Sequence, residues 1–232
     1  MICAIHQPQT FPWLGYFAKL AEADIFVFLD DVQFKKNEWQ NRNKIKTPQG
    51  WQWLTVPVLH HFGQDIAEVP INPATNWTHK HLQAIKSNYA RAAYFKTIYD
   101  ELVHLYEQPR SLLADFNLAT LNWLLKTIGL TTTTVISSQL NYNPDRLPLT
   151  ADDRLIRIIK YLRADTYLSG AGGRDYLQTE LFPQHQIELH FQTFHHPQYP
   201  QQWGEFISHL SVLDLIFNCG PDSLAIIKEG IG

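Results

Sequence analysis

Charge is scarce in this chain. Only 18% of the residues are Asp, Glu, Lys or Arg, and the formal net charge is −3; an average soluble domain carries about 25% charged residues. A surface that is basic overall, as nucleic-acid binding usually asks for, is therefore excluded. Cysteine is nearly absent. Cys3 and Cys219 stand alone and supply neither a disulfide framework nor a zinc site. No apolar run approaches the ~20 residues of a transmembrane helix. Met1 to His6 lacks the basic and apolar regions of a secretory leader, so the expected location is the cytoplasm. What is present in quantity is apolar. Hydrophobic residues make up 45% of 232 residues, enough to bury the core of one large domain. Aromatics reach 13%, with seven Trp, which raises the question of what planar or uncharged ligand some of them face.

The apolar pattern predicts an α/β fold: a Rossmann-like, mostly parallel sheet with an inserted β-hairpin and a helical subdomain. Ile2 to Ile5 reads as a buried strand, Trp13 to Ala23 as a helix with Leu14, Phe17, Ala18 and Ala21 on one face, and Ile25 to Leu29 as a second strand apolar on both sides. That is a βαβ unit. Arg42–Thr47 and Trp51–Val58 flank Pro48-Gln49-Gly50 as a hairpin. Helical spacing covers 77–90, 94–107 and 111–128, with Gly129 as the residue that ends the third helix. Strands are expected at Thr131–Ile136, Thr166–Leu168 and Ile187–Thr193. Thr150 and Asp153 form a capping box ahead of the stripe Leu155, Ile158, Ile159, Leu162. A helix is expected to start near Arg174, and a C-terminal amphipathic helix to carry Phe206, Leu210, Leu213 and Phe217. The chain thus reads as one domain: sheet from 1–30 and 131–195, hairpin and loop insertion over 31–75, helical subdomain over 76–129, and C-terminal helices over 204–229.

Ligands of open parallel sheets bind beyond the carboxyl ends of the strands, and three such ends carry polar clusters. His6, directly after the first strand, is placed to act as a general base or donor. Asp30 and Asp31 follow the second strand. Paired carboxylates suit Mg²⁺, yet adjacent residues face opposite ways, so one of them is expected to cap the loop instead. The turn Ser169-Gly170-Ala171-Gly172-Gly173-Arg174 offers backbone N–H groups and a guanidinium to a phosphate. Its spacing matches neither the dinucleotide fingerprint nor the P-loop, and a structural βα turn is the alternative. Residues 35–46 add Lys35, Lys36, Arg42, Lys44 and Lys46 against one acid, Glu38, with Trp39, Gln40, Asn41 and Asn43 between them. The bases would grip phosphates, Trp39 would stack on a sugar or base, and the amides would read hydroxyls. The alternative is a solvated hairpin edge guarded by lysines. Gln7, Trp13 and Tyr16 beside the His6 turn, with Gln33 after the acidic pair, complete the expected binding set. No metal ligand set is expected from the remaining histidines.

Several of these segments resemble a known family. His6-Gln7-Pro8, Phe11-Pro12-Trp13-Leu14-Gly15-Tyr16-Phe17, Asp30-Asp31-Val32-Gln33-Phe34 and Trp39 to Lys46 are similar to the N-terminal signature of the WbqC-like protein family. So are Arg154-Leu155-Ile156, Tyr167-Leu168-Ser169-Gly170, Gly173-Arg174-Asp175-Tyr176-Leu177 and Leu210 to Asn218. The resemblance spans essentially the whole chain. It implies a bacterial protein connected with O-antigen and other surface-polysaccharide (lipopolysaccharide) synthesis. A more distant likeness is to the opening of nucleotidylyltransferases. The histidines flanking the glycine of that motif are replaced here by Trp13 and Tyr16, which removes their chemistry and leaves the phosphate crevice.

Together these readings predict a transferase acting on a nucleotide- or lipid-linked sugar, moving an acyl, aminoacyl or related group. The diphosphate would lie over Ser169–Arg174 and the basic segment, with His6 as base or donor and Asp30 or Asp31 orienting a hydroxyl, an amine or Mg²⁺. The other classes to separate are a sugar- or nucleotide-binding accessory protein without chemistry and, least favoured by the charge, an RNA-interacting protein with tRNA as an aminoacyl carrier. The sequence does not name a cofactor, a substrate or an oligomeric state.

Overall fold

A strand with apolar residues on both faces is stable only where a sheet is covered on both sides, and the first strand takes that place. The computed structural model describes residues 1–232. In chain order, β1 (Ile2–His6), α1 (Leu14–Glu22) and β2 (Ile25–Phe28) form the expected βαβ unit, and β3 (Arg42–Thr47) and β4 (Gly50–Thr55) the hairpin. Three helices follow, α2 (Trp77–Tyr89), α3 (Phe95–Glu107) and α4 (Leu113–Ile128), then β5 (Thr133–Ile136), α5 (Ala151–Tyr161) and β6 (Thr166–Ser169). The chain closes through α6 (Leu181–Gln184), β7 (Glu188–Phe191), α7 (Val212–Cys219) and α8 (Ser223–Glu229).

The sheet is wholly parallel, in the order β5-β2-β1-β6-β7. Counted along the chain, that is strand order 3-2-1-4-5, the doubly wound arrangement, and its direction of growth reverses between β1 and β6. Strand alternation sends Ala4, Phe26, Phe28 and Leu168 to one face, where α1, α4 and α7 cover them, and Cys3, Ile5, Val27 and Tyr167 to the other, under α5. Fully burying an aromatic such as Phe17 or Phe26 contributes about 1.5–3 kcal/mol. The first core continues without a break from Phe26 through Ile45 of the hairpin to Phe95 and Leu102 of the helical block. Polar ties fasten the same junction: the Lys46 N–H donates to the Tyr89 hydroxyl (2.9 Å), which donates to the buried Asp214 (2.9 Å).

The end signals behave as their chemistry dictates. Thr150 and Asp153 close the capping box of α5, and Gly129 ends α4 in the left-handed region at φ +84°. Gly15 has a different role, because a Cβ built there would lie 2.3 Å from the Trp13 ring. Gly15→Ala is therefore expected to lose about 1–3 kcal/mol through overpacking, the opposite of the ~1 kcal/mol gain at an open helix position. Urea unfolding measures the difference.

Two expectations are corrected. No helix starts at Arg174. Three glycines close together disfavour an α-helix, and the chain instead makes one 3₁₀ turn, Ala171–Asp175, closed by Gly173 N–H to Gly170 carbonyl (2.9 Å). The C-terminal helix does not reach back to Phe206 and Leu210. Trp203, Gly204 and His209 all have positive φ, and the helix begins only after Ser211, whose hydroxyl accepts from Leu213 N–H.

Candidate functional site

The reversal between β1 and β6 leaves their carboxyl ends diverging: the two strands stay paired only as far as Ala4 and Leu168. A cleft of about 520 Å³ opens there. Its walls are His6 and Gln7 from the end of β1, Gln33 and Lys35 from the loop after β2, Ala151 and Arg154 from the first turn of α5, and Tyr176 after β6. A second hollow of about 300 Å³ adjoins it, bounded by Gln9, Glu38, Trp39 and Gln40. His6, Gln7 and Lys35 line both. A separate hollow of about 390 Å³ lies at the β5 edge, and no titratable side chain lines it.

His6 is held by its neighbours. Its ring lies 4.8 Å from that of Tyr16, whose hydroxyl donates to the Gln7 carbonyl (3.1 Å). The Gln7 side chain accepts from Gln40 Nε2 (2.6 Å), and Gln40 Oε1 accepts from Lys35 N–H (2.8 Å). The β1 turn, the basic loop and the hairpin entrance are thus locked into one wall. Burial, with nearby Lys19 adding to it, keeps the His6 imidazole well below its usual range, so it is neutral at pH 7. Its Nδ1 is buried without a partner.

Beneath this turn lies Lys19 of α1, 2% exposed, with Nζ donating to the Ile5 carbonyl (3.0 Å). Burial brings its pKa down from 10.5 to about 7. The unfolded chain therefore holds a proton that the folded chain has released between pH 7 and 10.5, so stability rises with pH across that window. Relative to Lys19→Met, the wild type is expected to gain up to about 1.4 kcal/mol per pH unit there. Urea titrations at stepped pH measure the slope.

The acidic pair divides its tasks. Asp30 is buried, and its carboxylate accepts from Ser138 N–H (2.9 Å), Ser138 Oγ (2.8 Å) and Ser137 Oγ (3.0 Å), tying the end of β2 to the turn after β5. Asp31 packs against Arg154, which lines the cleft. It accepts from the Tyr142 hydroxyl and lies 3.5 Å from Arg154 Nη1, while Arg154 Nη1 also donates to the Asp31 carbonyl (2.9 Å) and to Tyr142 (2.8 Å). The Ser137 hydroxyl bridges both carboxylates. With protein donors on all four oxygens, the pair does not present itself to Mg²⁺. No group of three His, Cys, Asp or Glu side chains gathers elsewhere in the molecule.

The cleft takes in His6, Gln7 and Gln33 from the expected set, with Trp39 on the adjoining wall. Tyr16 is fully buried and acts on the cleft through Gln7 and His6. Asn41 and Asn43 are buried as well. They donate to the Val56 and Phe11 carbonyls, so they bind backbone rather than a ligand's hydroxyls. Trp13 turns away to pack against Phe194 (5.4 Å) and His209 (4.9 Å). Arg174 lies over the Phe191 ring at 4.4 Å. Neither it nor Ser169, Gly170, Gly172 or Gly173 lines the cleft, and with no helix behind it the glycine turn lacks the dipole assumed for it. Lys36 is exposed outside the cleft, and Arg42 and Lys44 lie on the outer face of the hairpin.

Arg154 and Tyr176, to which the sequence assigns no role, line the cleft, with Tyr142 behind Arg154 and Lys19 behind the end of β1. Arg154 carries a usable signal. A cation in the first turn opposes the helix dipole, and such a placement asks for another reason.

No solved structure matches the chain. The uncharacterized protein Rv1507c of Mycobacterium tuberculosis is 35% identical over 233 residues, covering 97% of this chain and 98% of its own length. The model of the WbqC-like protein family matches residues 7–226, from the Gln7 turn through the sheet, the hairpin and α7 into α8. The chain belongs to the WbqC-like protein family.

Proposed function

We propose that the chain is a transferase that takes a phosphate-bearing substrate, a nucleotide- or lipid-linked sugar, into the cleft between β1 and β6. The observation that carries this reading is the placement of Lys35 and Arg154 around His6 and Gln7 at the point where the sheet reverses. Doubly wound sheets hold ligands there. Two cations and the first turn of α5 favour a phosphate. Trp39 and Tyr176 offer flat surfaces at opposite margins, and Gln7 and Gln33 offer hydrogen bonds to hydroxyls. Neutral His6 is the group able to accept a proton from an attacking hydroxyl or amine. An anion seated beside it raises its proton affinity, so the base strengthens when substrate is bound. Asp31 and Tyr142 position Arg154, and Asp30 stands outside the chemistry. The rest of the acceleration comes from orientation and charge neutralisation.

A panel of UDP-, dTDP-, GDP- and CDP-linked sugars, read by thermal unfolding, tests the binding half. A ligand at about 100 times its Kd stabilises by about 2.7 kcal/mol, a shift of about 5–10 °C for a chain of this size. No shift with any of them rejects the reading. His6→Gln tests the chemical half: it is expected to lower turnover by about 10²- to 10⁴-fold while ligand affinity stays within a few-fold. A protein that binds but turns over nothing, with or without His6, would be an accessory binder.

A further inference from the structure

The outer face of the hairpin concentrates indoles and cations that, Trp39 apart, the cleft does not use. Trp51 and Trp53 on β4 face outward with Arg42 and Lys44 of β3, and Trp39 joins them from the preceding loop. Lys44 Nζ lies 4.3, 5.3 and 5.9 Å from the rings of Trp51, Trp53 and Trp39, and the Arg42 guanidinium lies 4.1 Å from Trp53. These contacts hold the two cations along the sheet. No carboxylate comes within ion-pair distance of Arg42 or Lys44. In a chain of net charge −3, this face is an unneutralised positive patch. Trp39 and Trp51 are 37% and 44% exposed.

From this juxtaposition we infer that the Trp39–Trp51–Trp53 face is a docking surface for an anionic lipid bilayer. The charge is complementary to acidic headgroups, and a partly exposed indole beside Lys or Arg is the chemistry of a membrane–water boundary. The ring geometry argues against single-stranded nucleic acid, the other ligand of basic aromatic surfaces. Trp39 and Trp53 are inclined by 52° and Trp51 and Trp53 by 79°, so the rings offer no series of parallel platforms for successive bases. Insertion at a headgroup boundary makes no such demand. Because Trp39 also walls the hollow beside His6, docking by this face would bring the cleft to the membrane surface. The inference does not depend on what the cleft binds.

Co-sedimentation with vesicles tests it, using the intact chain and no cleft ligand. The wild type is expected to sediment with phosphatidylcholine vesicles that contain phosphatidylglycerol and to stay in solution with phosphatidylcholine alone. Lys44→Gln should weaken the anionic binding about fivefold. The pair Trp39→Ala and Trp51→Ala should weaken it at least about tenfold. Unchanged thermal unfolding checks that these surface variants fold. No binding to the anionic vesicles, binding undiminished by the Trp replacements, or binding of poly(U) through the same residues with vesicles ignored would each overturn the inference. The failure of vesicle binding leaves the phosphate cleft untouched, and the reverse is also true.

Discussion

Arg154→Ala is expected to weaken binding of a nucleotide-linked sugar by about 2–4 kcal/mol, about 30- to 900-fold. The guanidinium is held at the cleft by Asp31 and Tyr142, so its orientation is set before a ligand arrives and little entropy is lost on binding. Arg154→Lys keeps the charge but loses the planar fork. It should recover only part of the affinity, and calorimetry distinguishes the three proteins. Lys35→Ala should weaken binding less. Lys35 is exposed, and only its backbone N–H is tied into the wall, through Gln40. Asp31→Asn should act on Arg154 rather than on the ligand, lowering affinity through disorder of the guanidinium. Removing both Arg154 and Asp31 should then cost little more than removing Arg154 alone.

Asp30→Ala is expected to destabilise the fold by about 1–3 kcal/mol without altering ligand affinity in the folded protein. Three donors converge on that buried carboxylate. Removing the acceptor takes away the partner of Ser138 N–H and of the Ser138 hydroxyl, and leaves the buried Ser137 hydroxyl with Asp31 alone. The loss falls on the junction of β2 and the turn after β5, so urea unfolding reads it directly. Asp30→Asn, which keeps an acceptor, should lose less. An Asp30→Ala protein that kept its stability but lost turnover would make this carboxylate a catalytic group after all.

The difference between Asp30 and Asp31 also shows what sequence can and cannot carry. Strand alternation predicts that neighbouring carboxylates part company, but which of them meets the cleft depends on Ser137 and Ser138. Those residues arrive beside β2 only because β5 pairs with it. The βαβ opening, the hairpin, the three central helices and the capping box of α5 were all legible, since each rests on local periodicity or on a cap whose partners lie within a few residues. The helix expected at Arg174 does not form because the helix cost of Gly170, Gly172 and Gly173 outweighs the tendency of a parallel strand to lead into a helix. The cleft's polar floor at His6 and Gln7 was legible from the end of β1. Its far wall was not. Arg154 and Tyr176 join His6 only through the placement of β6 beside β1; the cation in the first turn of α5 marks Arg154 as unusual but does not name what it meets. Trp13, taken with the His6 turn for its proximity in sequence, instead packs over Gly15 and against Phe194.

The most direct measurement is a crystal structure with the nucleotide-linked sugar that gives the largest thermal shift. The predicted result places its phosphates between Lys35 and Arg154, against Gln7 and the first turn of α5, with His6 beside the reacting sugar. Phosphates seated instead over Ser169–Arg174, or on the hairpin face away from the cleft, would contradict the account.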